Sequence, residues 1–95
     1  MWKLFLPAKV PNEGARRLAA WILASPPHEV KRRFARIGLD FGKAARMIEG
    51  ELLPGADDRF AIRGITDFVF VRDWSLPAEG RWGDPVPCRL MGRAA

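Results

Sequence analysis

Cysteine, histidine and tyrosine are nearly absent from this chain of 95 residues, which contains one Cys, one His and no Tyr. The single cysteine, Cys88, cannot form an internal disulfide, and His28 lies far from it in the sequence, so the two lack the spacing of metal ligands. The sequence also offers no Ser-His-Asp arrangement and no glycine-rich phosphate loop. We therefore expect a protein without metal or cofactor that is not an enzyme.

Long hydrophobic runs are missing as well. The apolar stretch 1–7 (MWKLFLP) ends after a few residues, which is too short for a membrane span or for the apolar part of a signal peptide. We expect a soluble protein of the cytoplasm, a compartment that the lack of disulfides also fits.

Apolar and basic residues are plentiful. Hydrophobic residues make up 48% of the chain, which is enough for one core in a single domain. Lys and Arg number 16 against 11 Asp and Glu, a net charge of +5, and such a surplus indicates either an attraction to nucleic acid or only solubility. Part of the positive charge is concentrated in one short stretch, at Lys31, Arg32, Arg33, Arg36, Lys43 and Arg46.

Apolar residues three and four positions apart predict two helices in the first half of the chain, one over 14–24 and one that begins at about 26 or 27 and ends at 37. Their apolar faces consist of Leu18, Trp21 and Ile22 in the first and Val30, Phe34 and Ile37 in the second. Arg16 and Arg17 lie off the apolar face of the first helix. Ser25 is the predicted N-cap of the second, because its hydroxyl can accept from free amides and proline is tolerated in a first turn.

A third helix follows after a very short turn. Gly38 is the predicted left-handed end of the second helix, Asp40 the N-cap of the third and Gly50 its end. The apolar stripe of the third helix consists of Ala44, Met47 and Ile48. A fourth helix is predicted over 56–63, ended by Gly64. Its apolar contacts come from Phe60 and Ile62, and Asp57 and Asp58 favour its N-terminus.

The sequence pattern changes after Gly64. Residues 67–71 are β-branched and aromatic, which predicts a short strand, and 72–76 fit one helical turn. The strand is expected to lie in the core, with pairing to residues 2–6 or packing across a two-fold axis as alternatives. Residues 1–13 are expected to form an N-terminal arm or a short strand, packed by Trp2, Leu4 and Phe5. Residues 77–95 are expected to form an irregular tail, part of which Trp82 pins to the domain.

The informative unit is residues 29–54, in which two helices are joined by a tight turn. Helices joined in this way cross at a large angle, so the second can enter a groove about 12 Å wide while the first lies across the DNA backbone. The turn needs a residue at positive φ, which Gly38 provides, and a buried apolar residue after it, which Leu39 provides.

The segment 38–54 (GLDFGKAARMIEGELLP) resembles the turn, recognition helix and following loop of Cro-like and XRE-type phage repressors, including YdaS-like antitoxins. In these proteins a glycine opens the turn, the recognition helix ends in a bulky apolar residue two positions before a glycine, and a proline follows. Ile48, Gly50 and Pro54 fit that pattern. The resemblance extends over about residues 14–76, and the 69–74 stretch is similar to the start of the family's last short helix.

The resemblance implies a lambda-repressor-like helix-turn-helix domain of four to five short helices over 14–76. It also implies a transcriptional regulator, such as a repressor, a Cro-like factor or an antitoxin, that binds double-stranded DNA with its helix 41–49 in the major groove. A homodimer on two half-sites about one helical turn apart is then expected. A toxin or a polymerase is the protein partner expected of an antitoxin or an activator.

The candidate DNA-contacting residues follow from the same resemblance. They are Phe41, Gly42, Lys43, Ala45 and Arg46 in the third helix and Arg32, Arg33 and Arg36 in the second. Arg46 fits a bidentate contact to guanine, and Lys43 fits a phosphate contact. The three arginines of the second helix would position the protein on the DNA backbone. The alternative is that these cations form ordinary solvated surfaces.

The chain departs from this family in two places. Four residues before the turn glycine the family usually has a small residue, and here that position is Phe34. Either Ala35 makes the close contact after a small rotation, or the two helices pack farther apart. The polar residue early in the family's recognition helix is replaced by Phe41 and Gly42. Phe41 then either contacts thymine methyl groups or packs in the core.

A function of another class is also open, because a fold does not fix a function. The helix-turn-helix would then serve as the scaffold of a protein-binding adaptor or inhibitor that does not bind DNA.

Overall fold

The computed structural model of the protein describes residues 6–86. In that range the chain forms α1 (Glu13–Ala24), α2 (Pro27–Arg36), α3 (Phe41–Glu49) and α4 (Ala56–Thr66), followed by a 3-10 helix (Val71–Ser75). The predicted mainly α fold, with α2 and α3 as a helix-turn-helix, is confirmed. None of the helices within residues 6–86 is long and apolar enough to cross a membrane.

The core is built around α1, which packs most extensively against α3 and the 3-10 helix. Leu18 and Ile22 of α1 and all three predicted apolar residues of α3 are buried, as are Val30 and Phe34 of α2. Trp21 and Ile37, which were also predicted for the apolar faces, are only half-buried and pack against this core. Trp74 of the 3-10 helix completes this core and lies directly on Gly14, where any side chain would overlap the indole ring. The predicted helical turn near 72–76 is therefore a structural part of the domain.

The termini of α3 form as predicted. Asp40 is the N-cap, and its Oδ2 accepts a hydrogen bond of 3.2 Å from the amide of Lys43. Gly50 ends the helix in the left-handed conformation with φ 85°, and Gly38 has φ 68° in the turn before it. The prediction for Ser25 was wrong. Pro26 is the N-cap of α2, and the Ser25 hydroxyl instead donates to the carbonyl oxygen of Trp21, still within the last turn of α1.

The predicted end of α4 at Gly64 was wrong, because the helix continues to Thr66 and ends at Asp67, which adopts the left-handed conformation with φ 53°. Aspartate tolerates this conformation better than most residues. The Thr66 hydroxyl donates to the Ile62 carbonyl and accepts from the next amides, at Phe68 and Val69. The helix therefore has a cap beyond Gly64.

The predicted strand near 67–71 was also wrong, since residues 6–86 contain no strand. The amides of Phe68 and Val69 are bonded to the Thr66 hydroxyl, and that of Phe70 donates to Asp73 Oδ2 at 2.9 Å. These side-chain bonds use donors that a β-ladder would need. The expectation of a core position is confirmed for Val69, which is fully buried. Pairing with residues 2–5 lies outside the described range.

Phe60 does not supply the predicted core contact, since 64% of its surface is exposed. Residues two positions apart point to nearly opposite sides of a helix, so Phe60 and Ile62 cannot both face the core. Ile62 is the buried one.

The tail and the end of the N-terminal arm are joined to α1 and to each other. Trp82 Nε1 donates to the Pro7 carbonyl at 2.7 Å, so this tryptophan pins the tail as predicted. The amide of Glu79 donates to Glu13 Oε1 at 2.8 Å. The arm's predicted packing residues, Trp2, Leu4 and Phe5, lie outside the described range.

Arg16 and Arg17 do lie off the apolar face of α1, but they are buried, at 3% and 1% exposure. Glu13 Oε2 binds both guanidinium groups, at 3.4 Å from Arg16 and 2.9 Å from Arg17. Arg17 also donates to the Phe68 carbonyl and lies 3.7 Å from Asp73. The second side of α1 is thus covered by chain that is distant in sequence.

Candidate nucleic-acid interface

The rotation of α3 is fixed by its buried stripe. Because Ala44, Met47 and Ile48 are all fully buried, the opposite side of the helix faces solvent and exposes Gly42 and Arg46. Ala45, Lys43 and Glu49 flank this exposed side and are half-buried. Of the arm residues that the structure describes, Pro11 lies against Gly50 at the C-terminal end of the helix. The described tail contacts α1 and the arm.

Arg46 is the exposed cation in the middle of this surface. Its side chain forms no ion pair or hydrogen bond with any residue in 6–86. Its carbonyl oxygen accepts from the amides of Glu51 and Leu52, at 2.9 and 3.2 Å, which secures the C-terminal end of α3. The backbone under Arg46 is therefore fixed while its guanidinium remains available to a partner.

Lys43 lies on the side of α3 that faces α4. Its Nζ is 3.1 Å from Asp58 Oδ2, and both side chains are partly exposed, at 41% and 38%. An ion pair in this environment contributes about 1 kcal/mol or less, so a phosphate can compete for the ammonium group. Sequence reasoning did not find this partner, because Asp58 belongs to the following helix.

The three arginines of α2 have different environments. Arg32 is exposed, and its Nη2 donates to both carboxylate oxygens of Glu29, at 2.7 and 2.8 Å. Arg33 donates to Glu29 at 2.8 Å and to the Ile65 carbonyl at 2.7 Å, which ties α2 to the end of α4. Arg36 is exposed and forms no ion pair within residues 6–86.

Glu29 forms ion pairs with two of the three arginines of α2. Hydrogen bonds from Arg32 first and from Arg33 second lower the pKa of its carboxyl group to about 2. The same contact raises the pKa of Arg32. Glu29 therefore stays ionised at neutral pH and offsets part of the positive charge that the sequence concentrates here.

Phe34 separates α2 from α3. It is buried, whereas Ala35 is exposed, so the rotation that would let Ala35 make the close contact has not occurred. The Phe34 ring stacks on Trp21 with centroids 6.1 Å apart and lies against Phe41 at 6.3 Å. Phe41 is therefore at the edge of the core, half-buried, with one side packed.

A groove of about 280 Å³ opens between the two helices. We call it the α2–α3 groove, and it is lined by Lys31, Phe34, Ala35, Leu39, Asp40 and Phe41. The unusual Phe34 was the one signal in the sequence that pointed to helices standing apart.

The two sides of α3 differ in charge. On the α2 side, Lys31 lies at the groove, and Arg36 is exposed near the end of α2. On the α4 side, the Asp58 carboxylate binds Lys43 and offsets its charge. A polyanion that contacts α3 is thus attracted mainly from the α2 side.

Comparison of the chain with models of known protein families, with curated proteins and with solved structures finds no match. Within residues 6–86, no three His, Cys, Asp or Glu side chains lie together in a way that could hold a metal ion.

Proposed function

We propose that this protein binds double-stranded DNA in a sequence-specific way, as a transcriptional regulator, with α3 in the major groove. The observation that carries the proposal is Arg46, an exposed arginine without an ion pair in residues 6–86, in the last turn of a helix whose other side is fully buried. A helix held in this way by a tight turn is suited to protrude into a groove.

Arg46 is the proposed base-reading residue. Its planar guanidinium matches the two acceptors of guanine in the major groove, O6 and N7. Gly42, one turn before Arg46, and Ala45 are small, so the helix can approach the base edges closely. Lys43, Arg32 and Arg36 would contact phosphates, which position the protein without reading sequence. Arg33 has a role within the protein, at the Ile65 carbonyl.

The direct test is to select bound sequences from random duplexes and then to measure affinity as a function of salt. Phosphate contacts predict an affinity that falls steeply with rising salt, with a slope smaller by about 1 when Arg36 is replaced by Ala. Arg46→Ala should cost about 1–3 kcal/mol on the selected site and relax the preference at one base pair. Arg72→Ala is the control, because Arg72 is exposed on the 3-10 helix, which packs on α1 and α4. An equal loss on all sequences would assign Arg46 to phosphate.

The regulator is proposed to be of the phage-repressor type, to act in the cytoplasm and to bind as a homodimer on two half-sites. A two-fold symmetric protein requires a nearly palindromic site, so the selected sequences report the symmetry directly. The mass of the complex in solution gives the number of chains bound.

A protein-binding adaptor is the second candidate, and the exposed Phe60 favours it. A large apolar side chain with 64% of its surface in water is a common anchor for a protein partner. An adaptor of this kind would show no affinity for duplex DNA even at low salt, whereas a DNA-binding protein shows its highest affinity there.

A further inference from the structure

The α2–α3 groove is a largely apolar depression next to the proposed DNA-reading surface. Its walls are the apolar side chains of Phe34, Ala35, Leu39 and Phe41, and its volume is about 280 Å³. The remaining two lining residues, Lys31 and Asp40, have opposite charges, so the groove is electrically balanced. A site of this kind accepts a small uncharged apolar group more readily than a phosphate.

The groove lies beside the residues that would face DNA. Residues four apart share one side of a helix, so Phe41 lies in line with Ala45 on one edge of the exposed side of α3. Gly42, next in sequence, has no side chain to cover the Phe41 ring. A Cβ at Gly42 would come within 2.9 Å of Asp40 Oδ2, so a side chain there would displace the carboxylate that caps the helix.

The positive charge next to the groove lies on its α2 side. Lys31 is exposed on the α2 wall, and Arg32 and Arg36 continue the positive charge along the same helix. Asp40 is the one acidic lining residue, and its carboxylate is held at the N-terminus of α3 by the amide of Lys43. A phosphate is thus attracted to α2, while the groove itself is left for the edge of a base.

We infer that the α2–α3 groove receives the 5-methyl group of a thymine, which makes Phe41 a specificity-determining residue. The inference rests on the proposed function. The thymine methyl is the one apolar group that the bases of unmodified DNA present in the major groove. The half-buried Phe41 ring offers a fixed apolar surface for it, since its other side is held by Phe34.

The test begins with a duplex that the wild-type protein selects from a random library. Each dT is replaced in turn by dU, which removes only the methyl group. Affinity should fall about fourfold at one position in each half-site, because burying one carbon contributes about 0.8 kcal/mol. The substitutions are made in the DNA, so this measurement does not depend on how any variant folds.

Two protein variants locate the effect. Ala35→Leu fills the groove from an exposed position and replaces no core side chain, and it should bind the dT and dU duplexes equally. Phe41→Ala should lose the same discrimination, with its folding checked by circular dichroism. Ala56→Leu is the matched control, because Ala56 is exposed on α4, and it should keep the fourfold difference.

The outcomes separate the inference from the proposed function. Tight, sequence-specific binding in which every dT tolerates dU overturns the inference and leaves DNA binding standing. A dU effect that persists in Ala35→Leu places the methyl group elsewhere and also overturns the inference. A library from which no duplex is retained, even at low salt, overturns both.

Discussion

At the scale of single residues, the arginines of this protein show how neighbours decide the role of one side-chain type. Arg17 is buried and paired with Glu13 and Asp73, where it holds chain segments together. Arg33 bridges a surface glutamate and the end of α4. Arg46 has neither kind of contact within residues 6–86. A count of basic residues therefore overstates the charge that is available to a polyanion.

Asp58→Asn should strengthen DNA binding. The substitution releases Lys43, whose Nζ lies 3.1 Å from the Asp58 carboxylate, and it removes an anion next to α3. Because an exposed pair contributes up to about 1 kcal/mol, we expect affinity at low salt to rise by up to about fivefold with little change in stability. Asp57→Asn is the matched control, since it removes the same charge from the neighbouring residue, which forms no ion pair in 6–86. An equal gain in both variants would mean that general repulsion, and not Lys43, limits binding.

Glu29→Gln should make folding less sensitive to acid. Hydrogen bonds from Arg32 and then Arg33 lower the pKa of Glu29 from 4.5 to about 2 in the folded protein. Because the folded value lies below the unfolded one, the carboxylate stabilises the fold fully above pH 4.5, and this contribution is lost as the pH falls from 4.5 to about 2. Urea unfolding over this range should show a smaller loss for Glu29→Gln than for wild type. Glu51→Gln, at an exposed glutamate without an ion pair in 6–86, should follow wild type, and parallel curves for all three proteins would refute the effect.

At the scale of elements, the sequence predicts what is encoded locally. The turn between α2 and α3 depends on Gly38 at positive φ and on the Asp40 cap, and both are visible in the chain within a few residues of the helices they join. The exposed side of α3 was predicted for the same reason, since its apolar stripe alone fixes its rotation.

Features that depend on side-chain-to-backbone bonds or on distant chain could not be predicted in this way. The Thr66 hydroxyl and the Asp73 carboxylate accept hydrogen bonds from the backbone amides of this segment. The predicted strand would have needed the same amides for its β-ladder. The burial of Arg16 requires the tail, more than 60 positions away, at the Pro85 carbonyl. In the candidate site, the missed feature was the contact between Lys43 and Asp58, which joins two helices.

The two left-handed glycines that flank α3 should differ in how they tolerate alanine. Gly38 has φ 68° and open space around it, so Gly38→Ala should cost only the strain of that conformation, about 1–2 kcal/mol. Gly50 has φ 85°, and a Cβ there would lie 2.9 Å from Pro11 Cγ, so Gly50→Ala should cost clearly more. Urea unfolding of the two variants gives the comparison. Equal losses would show that the arm yields to the new methyl group at no cost.

At the scale of the whole molecule, the two described ends of the chain close over α1 and leave α3 uncovered. The Trp82 indole is bonded to the Pro7 carbonyl, and the tail amide of Glu79 to Glu13. These two hydrogen bonds hold the tail over the side of α1 on which Glu13, Arg16 and Arg17 are buried. The helix of the proposed DNA surface, α3, packs on α1, and α1 is held in turn by both ends of the described chain.

The buried Glu13 is the point at which this support is most vulnerable. One of its oxygens binds Arg16 and Arg17, and the other accepts from the tail amide at Glu79. Glu13→Gln keeps the shape but removes the charge. Arg16 then loses its ion pair, while Arg17 keeps Asp73 at 3.7 Å. Because breaking a buried pair leaves uncompensated charge, we expect a loss of about 3–5 kcal/mol in urea unfolding.

Glu29→Gln supplies the matched control for this loss. Glu29 also lies in the first turn of a helix and binds two arginines three and four residues later, but at the surface. Solvent can replace its contacts, so its loss at neutral pH should be much smaller than that of Glu13→Gln. Similar losses in the two variants would show that the charges under the tail are as accessible to water as those on α2. In that case the tail would not exclude water from this side of α1, and only the apolar core would hold α3 in place.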